Sequence, residues 1–256
     1  MDLFDLTIIG AGPTGLFASY YAGFRSMKVK IVDSLEELGG QITALYPEKF
    51  IFDVAGFPKI YGRDLVKNLV EQALQYHPTV CLGEKVEQVT VKPDKTYELK
   101  TNKGYHQSRS ILITIGIGAF KPKPIPAPGA EAFLGKGFAY FVPDIKRYLG
   151  KRVVVVGGGD SAVDWALNLE PKAAAVTLVH RRDGFRAHEE SVNQLKSSRV
   201  KLKLFFEVKE IRGKDHIEAI VIMNNKTKAE EVLQADEVLA CLGFEASTGP
   251  LSKPSR

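Results

Sequence analysis

Two glycine-rich turns carry the residues with the clearest chemistry. Near the start, the apolar run Leu6–Ile9 breaks at Gly10, and Gly10-x-Gly12-x-x-Gly15 follows with Pro13 and Thr14 inside it. Far downstream, the β-branched run Arg152–Val156 leads into Gly157-x-Gly159-x-x-Ala162, which encloses Asp160 and Ser161. In this spacing the first glycine makes the tight turn from strand to helix, and the second lets backbone approach a pyrophosphate. The third position, Gly or Ala, lets the helix pack closely on the strand. Free N–H groups and the positive dipole end of that helix then hold phosphate. Each turn is expected to bind a dinucleotide.

The strands that follow the two turns end differently. Lys28–Asp33 ends in an acid, placed where a carboxylate accepts hydrogen bonds from ribose hydroxyls and repels a 2′-phosphate. Ala175–Val179 runs into His180, Arg181 and Arg182, with Arg186 beyond. Guanidinium groups fork onto phosphate oxygens, so this end suits NADPH over NADH. His180 either stacks on adenine or is a plain surface residue. A hydride donor at one site needs an acceptor at the other, and a flavin accepts hydride and releases electrons singly. FAD is therefore expected at the first site and NADPH at the second. Such chemistry needs positioning rather than a side-chain acid or base, so no catalytic residue is assigned.

The elements that must hold these turns recur in the same order. A helical stripe of Leu65, Val66, Leu69, Val70, Ala73 and Leu74 follows Asp64, the expected N-cap. From Val80 to Ile115 the pattern has period two: Val86, Val89 and Val91, a turn at Pro93–Lys95, then Tyr97 and Leu99. A turn at Asn102–Gly104 precedes an apolar strand, Ile111–Ile115. Lys121–Gly129, with four prolines, reads as an inter-domain linker. After the second turn come a helix with Val163, Ala166, Leu167 and Leu169 inward, and a second meander beginning with Val200–Phe206. The half closes on Glu237–Gly243. The repeat predicts an α/β fold of two Rossmann-like three-layer ββα nucleotide-binding units (the FAD/NAD(P)-binding fold), each a parallel sheet plus a β-meander.

Bulk properties narrow the function. The chain of 256 residues has 45% hydrophobic and 25% charged residues, ordinary for a globular protein. No apolar run is long enough to span a bilayer, and MDLFDL lacks the basic start of a signal peptide. Cys81 and Cys241 form no CxxC, which argues against a disulfide framework, a redox dithiol and a zinc site, so no metal is expected. A net charge of +5 favours an anionic cofactor or an acidic protein partner. No nucleic-acid motif is present, and neither nucleic acid nor membrane is an expected partner.

Val179-His180-Arg181-Arg182-Asp183-x-Phe185-Arg186-Ala187 resembles the HRRxxFRA signature of the thioredoxin reductase group of two-dinucleotide flavoproteins. Members of that group carry a CxxC before the second glycine turn, whereas Gly135–Arg152 here has Ala139, Tyr140, Phe141 and Val142 and no cysteine. Gly39-Gly40-Gln41, Tyr46-Pro47-Glu48-Lys49 and Asp53–Pro58 resemble the thioredoxin-reductase-like ferredoxin–NADP⁺ reductases, over Asp5 to about Ser247.

That resemblance implies a FAD domain over 1–117, an NADPH domain over 118–243 and a truncated return over 244–256. It also implies FAD contacts from Asp33, Gln41, Val86 and Phe120, with Tyr46 stacking on the isoalloxazine. The implied activity is transfer from NADPH to FAD and on to ferredoxin or flavodoxin, or the reverse, in a cytoplasmic homodimer. The family continues beyond Leu242–Phe244, so a C-terminal part of the FAD domain is expected to be missing. An NADPH-dependent thioredoxin- or disulfide-type reductase and a truncated, non-catalytic NADP-binding protein are the alternative readings.

Overall fold

The computed structural model describes residues 2–116, 118–142 and 144–247. The chain forms two compact units, Met1–Lys121 with the return from Ala246, and Pro122–Glu245.

The first unit begins with β1 (Leu3–Ile9), α1 (Pro13–Phe24), β2 (Val29–Val32) and the short α2 (Gln41–Leu45). A small hairpin of β3 (Phe50–Ile51) and β4 (Ile60–Tyr61) leads into α3 (Gly62–Ala73) and β5 (Thr79–Cys81). Next come β6 (Val86–Val91), β7 (Tyr97–Thr101) and β8 (Tyr105–Ile113). These build a six-stranded sheet in the order β5-β2-β1-β8-β7-β6. Ile8 points to one face, where it packs with Ala22 of α1 and Val29, while Ile9 packs on the other with Val32, Val86 and Leu99. This is the period-two alternation of a strand covered on both sides. Strand β8 starts at Tyr105 rather than Ile111, because it serves two ladders. It pairs antiparallel with β7 through Tyr105–Ser108 and parallel with β1 through Gln107–Ile113. Asp64 is not the N-cap of α3; Tyr61 is, and Asp64 lies in the first turn, where its charge suits the helix dipole.

β9 (Ala119–Pro122) pairs with the last strand, β18 (Phe244–Ser247), and both boundaries between the units fall within this ribbon. The second unit contains β10 (Phe138–Ala139), β11 (Arg152–Val156), α4 (Asp160–Leu169), β12 (Ala175–His180), α5 (Glu189–Ser197) and β13 (Lys201–Leu204). The meander β14 (Phe206–Gly213), β15 (Ile217–Asn224) and β16 (Glu230–Gln234) precedes β17 (Glu237–Ala240). A parallel sheet runs β10-β17-β11-β12-β13, and the meander is a separate three-stranded sheet. Val154, Val156 and Val238 pack against Val208, Ile220 and Ile222 of the meander. Trp165, Ala166 and Leu169 bury the inner face of α4; Trp165 takes the place expected for Leu167.

Two expectations are corrected here. Val200–Phe206 is not the first meander strand. Lys201–Leu204 extends the parallel sheet beside β12, and the chain turns at Phe205, whose φ is +65°. The proline-rich stretch is not a free linker either: Ile125 and Ala127 are buried in the core beneath the meander. Its prolines permit extended backbone, while the residues between them supply apolar surface.

Candidate dinucleotide-binding sites

The first glycine turn is held from three sides. Gly10 has φ +106°, and a Cβ there would stand 2.5 Å from the Thr114 carbonyl oxygen. Only glycine meets both demands. A Cβ on Gly15 would run into the Gly10 carbonyl, so α1 can approach β1 this closely only without one. Pro13 occupies the first turn of α1, where its missing N–H costs nothing, and Thr14 is exposed beside it. Gly12 differs from its neighbours: its φ is an ordinary −71°, and a Cβ would meet no protein atom within 4 Å. The protein needs no glycine at that point, so the bare backbone faces free space.

Asp33 and the Gly39–Gly40 segment come up against this turn. The buried carboxylate of Asp33 accepts the Ala11 N–H at 2.5 Å through Oδ2 and the Leu35 N–H at 2.8 Å through Oδ1. Each oxygen keeps a second acceptor position. The Gly39 N–H donates to the Ala11 carbonyl at 2.9 Å, and a Cβ on Gly40 would sit 2.8 Å from the Gly12 Cα. Gln41 therefore starts α2 beside the turn, and its Nε2 is 3.0 Å from where a Gly116 Cβ would be. Tyr46 closes the other end of α2, half-buried against Ile42, Leu65 and Val66. Burial first, and then Asp53, raises its phenol pKa. Val86 lies in the core with Ile9, Val32 and Leu99. The Phe120 side chain falls outside the described residues.

The second turn carries a loop folded onto it. Gly157 has φ +148°, and a Cβ there would strike the Cys241 carbonyl. A Cβ on Gly158 would enter the His180 ring, which also stacks on Phe185 at 5.2 Å and bonds to the Gly184 carbonyl through Nε2 at 3.1 Å. Burial first, then Arg181 and Arg182, lower the His180 pKa, and because the Gly184 carbonyl can only accept, Nε2 donates. The ring thus braces the loop, with one face taken by Phe185. The Arg186 N–H donates to the Gly158 carbonyl at 2.7 Å. Gly159 caps α4, and buried Ala162 returns its N–H to the Gly159 carbonyl at 3.0 Å. Asp160 accepts the His188 N–H at 3.0 Å, and Ser161 is exposed. Arg181, Arg182 and Arg186 are all exposed.

The pyridine nucleotide-disulphide oxidoreductase model matches residues 4–254. The chain belongs to the pyridine nucleotide-disulphide oxidoreductase family. A ferredoxin–NADP reductase of Halalkalibacterium halodurans is 51% identical over 251 residues, covering 98% of this chain and 76% of that protein. One from Geobacillus thermodenitrificans is 48% identical over the same shares. Within the family the chain falls in the ferredoxin–NADP reductase branch. The thioredoxin reductase of T. acidophilum superposes with a TM-score of 0.83 at 25% identity, over 95% of this chain and 78% of that one.

One buried cluster of this family member was not foreseen. Glu84 accepts from Thr101 Oγ1 at 2.6 Å and meets His106 Nε2 at 2.6 Å, while Lys30 Nζ lies 2.7 Å from His106 Nδ1. An ammonium has no lone pair, so Lys30 donates to Nδ1, and Nε2 must carry the hydrogen that Glu84 receives. Burial pushes the Glu84 carboxyl up, but the bonds from Thr101 and His106 outweigh it and hold it low. Cys81, Glu84 and His106 bring three possible metal donors within 4.8 Å. With Lys30 in place, however, the ring presents no free lone pair to a cation. The cluster instead secures Asp33, whose N–H bonds to the Cys81 carbonyl at 2.9 Å and whose carbonyl accepts the Glu84 N–H at 2.8 Å. Its members are separated by up to 76 residues, and no local spacing announces them.

Proposed function

We propose that the first unit holds FAD through Gly10, Gly12, Pro13, Thr14, Gly15, Asp33, Gln41 and Tyr46, and that the second holds NADPH through the Gly157–Ala162 turn with Arg181, Arg182 and Arg186. FAD and NADPH are the cofactors of this oxidoreductase, which is of the ferredoxin–NADP reductase type. The observation that carries the assignment is the pair of glycine turns with unlike partners. A buried carboxylate lies against the first, and a loop bearing three arginines is folded onto the second.

The residues fit the groups. Gly12 leaves open the volume that a Cβ would fill, beside the N-terminus of α1, where free N–H groups suit a pyrophosphate. Bound FAD supplies the conversion of a two-electron hydride into single electrons. Asp33 fixes the Ala11 N–H and presents its remaining acceptor positions to a ribose. Gln41, placed against Gly116, offers an amide to the flavin region, and Tyr46 offers an aromatic face. The arginines have no ion-pair partner among the described residues and are available to a 2′-phosphate.

The carrier is a ferredoxin, as the relatives' names suggest, with flavodoxin the other one-electron protein suited to the chemistry. Thioredoxin-type reduction would require a cysteine pair, whereas Cys81 and Cys241 form no disulfide and belong to different units. Self-association as a homodimer is supported by an exposed aromatic face on α1, where Phe17, Tyr21 and Phe24 are each more than half exposed. A cytoplasmic setting suits cysteines that form no disulfide; among the described residues no helix is long and apolar enough to cross a membrane.

The test is spectral and kinetic. Purified protein incubated with FAD and desalted should show bound-flavin absorbance at about one equivalent. Arg181→Ala with Arg182→Ala should raise the KM for NADPH by roughly 100-fold and that for NADH by less than about 3-fold. Equal losses with both nucleotides would overturn the NADPH assignment, and colourless protein would overturn the flavin one.

A further inference from the structure

The loop that presents the arginines is pinned at two points by different parts of the second unit. At its far end, the Arg186 N–H bonds to the Gly158 carbonyl at 2.7 Å, and the His180 ring lies against Gly158. At its near end, the Asn225 amide Nδ2 donates to the Arg181 carbonyl at 2.7 Å, across 44 residues of sequence. Asn225 belongs to the turn between β15 and β16, outside the parallel sheet and outside the glycine turn.

That turn is itself well fixed. The Asn225 N–H donates to the Phe205 carbonyl at 2.7 Å, tying it to the break between β13 and β14. Asn224 Oδ1 accepts the N–H groups of Lys226 and Thr227, each at 3.0 Å, and Lys226 Nζ lies 3.4 Å from the centre of the Phe205 ring. An exposed hydrogen bond of this kind adds little to global stability, since water competes for both partners. Its effect is local. It removes backbone freedom from Arg181 before a ligand arrives, and freedom already removed need not be lost on binding.

We infer that Asn225 is a positioning residue for 2′-phosphate recognition, acting through the Arg181 backbone rather than by contact with nucleotide. The inference rests on the reading of Arg181 as a phosphate ligand. It assigns part of the preference for NADPH to the antiparallel meander, an element that carries no part of the dinucleotide motif.

Calorimetric titration of the 256-residue chain tests this without any turnover. The probes are adenosine 2′,5′-bisphosphate, which carries the 2′-phosphate, and ADP, which lacks it. Asn225→Ala should weaken the bisphosphate by about 3- to 10-fold and change ADP by less than about 2-fold. In an Arg181→Ala background the same replacement should have no further effect on the bisphosphate. ADP binding also reports that the variant is folded. Equal weakening of both probes, no weakening of either, or an undiminished effect in the Arg181→Ala background would each overturn the role of Asn225. Arg181→Ala leaving the preference for bisphosphate intact would instead overturn the underlying phosphate assignment.

Discussion

Gly10 and Gly12 are two residues apart, and the separate work the sequence motif assigns them is visible in their surroundings. At Gly10 the backbone itself demands glycine, through its φ of +106° and the Thr114 carbonyl 2.5 Å from any Cβ. Gly10→Ala should therefore destabilise the first unit by about 2–4 kcal/mol, read as a lower urea midpoint. At Gly12 neither constraint applies, so Gly12→Val should fold with a loss of no more than about 1 kcal/mol while failing to retain flavin after desalting. Retention of flavin by Gly12→Val would mean that the open space there is not the cofactor cradle. The motif spacing made these glycines and their division of labour legible. What it left unread is which groups crowd the turn, Thr114 and Gly40, which reach it from elsewhere in the chain. The same holds for Asp33. Its position at the end of β2 was readable, but the Lys30–His106–Glu84 cluster that braces it is assembled from β2, β8 and the loop after β5, which only the tertiary fold brings together.

Strands that end in glycine and helices with apolar stripes were readable because local periodicity reports local burial. What periodicity cannot report is which sheet a strand joins. Val200–Phe206 has the alternation of a meander strand, but the left-handed backbone at Phe205 divides it and sends Lys201–Leu204 into the parallel sheet. In the first unit β6 and β7 join the main sheet by antiparallel pairing, whereas in the second the meander stands apart, although the order of elements is the same. Ion pairs at strand starts are equally invisible to spacing. Arg152 begins β11 and Asp236 stands just before β17, and the two side chains are joined at 2.6 Å and 3.1 Å. The hydrogen bond from Arg152 holds the Asp236 carboxyl at about 2, below its ordinary value near 4. A depressed folded-state pKa gives stability that is fully present above the unfolded value and is lost as pH falls through the folded one. Asp236→Asn should thus lower stability by no more than about 1 kcal/mol at neutral pH, since both partners touch solvent. That gap should narrow from pH 4 and close near pH 2, as followed by denaturant titration at each pH. A gap that persists unchanged at pH 2 would place the effect in packing rather than charge.

For the molecule as a whole the controlling quantity is charge. A net +5 over 256 residues, with three exposed arginines on one loop, produces a positive field that reaches beyond contact distance in dilute salt. Two anions feel it: the nucleotide, and the acidic electron carrier proposed as partner. The screening length falls from about 30 Å at 0.01 M salt to about 8 Å at 0.15 M, so a steered encounter slows over that range. With NADPH held at saturation at every salt concentration, the nucleotide no longer limits the rate, and the carrier's encounter remains. We expect kcat/KM for an acidic ferredoxin to fall about 10-fold across this range. An uncharged quinone accepting electrons from the same reduced enzyme should change by less than about 2-fold. A quinone slope as steep as the ferredoxin slope would place the salt effect inside the enzyme. A flat ferredoxin slope would mean that the positive charge serves the nucleotide alone and that the carrier docks through apolar surface.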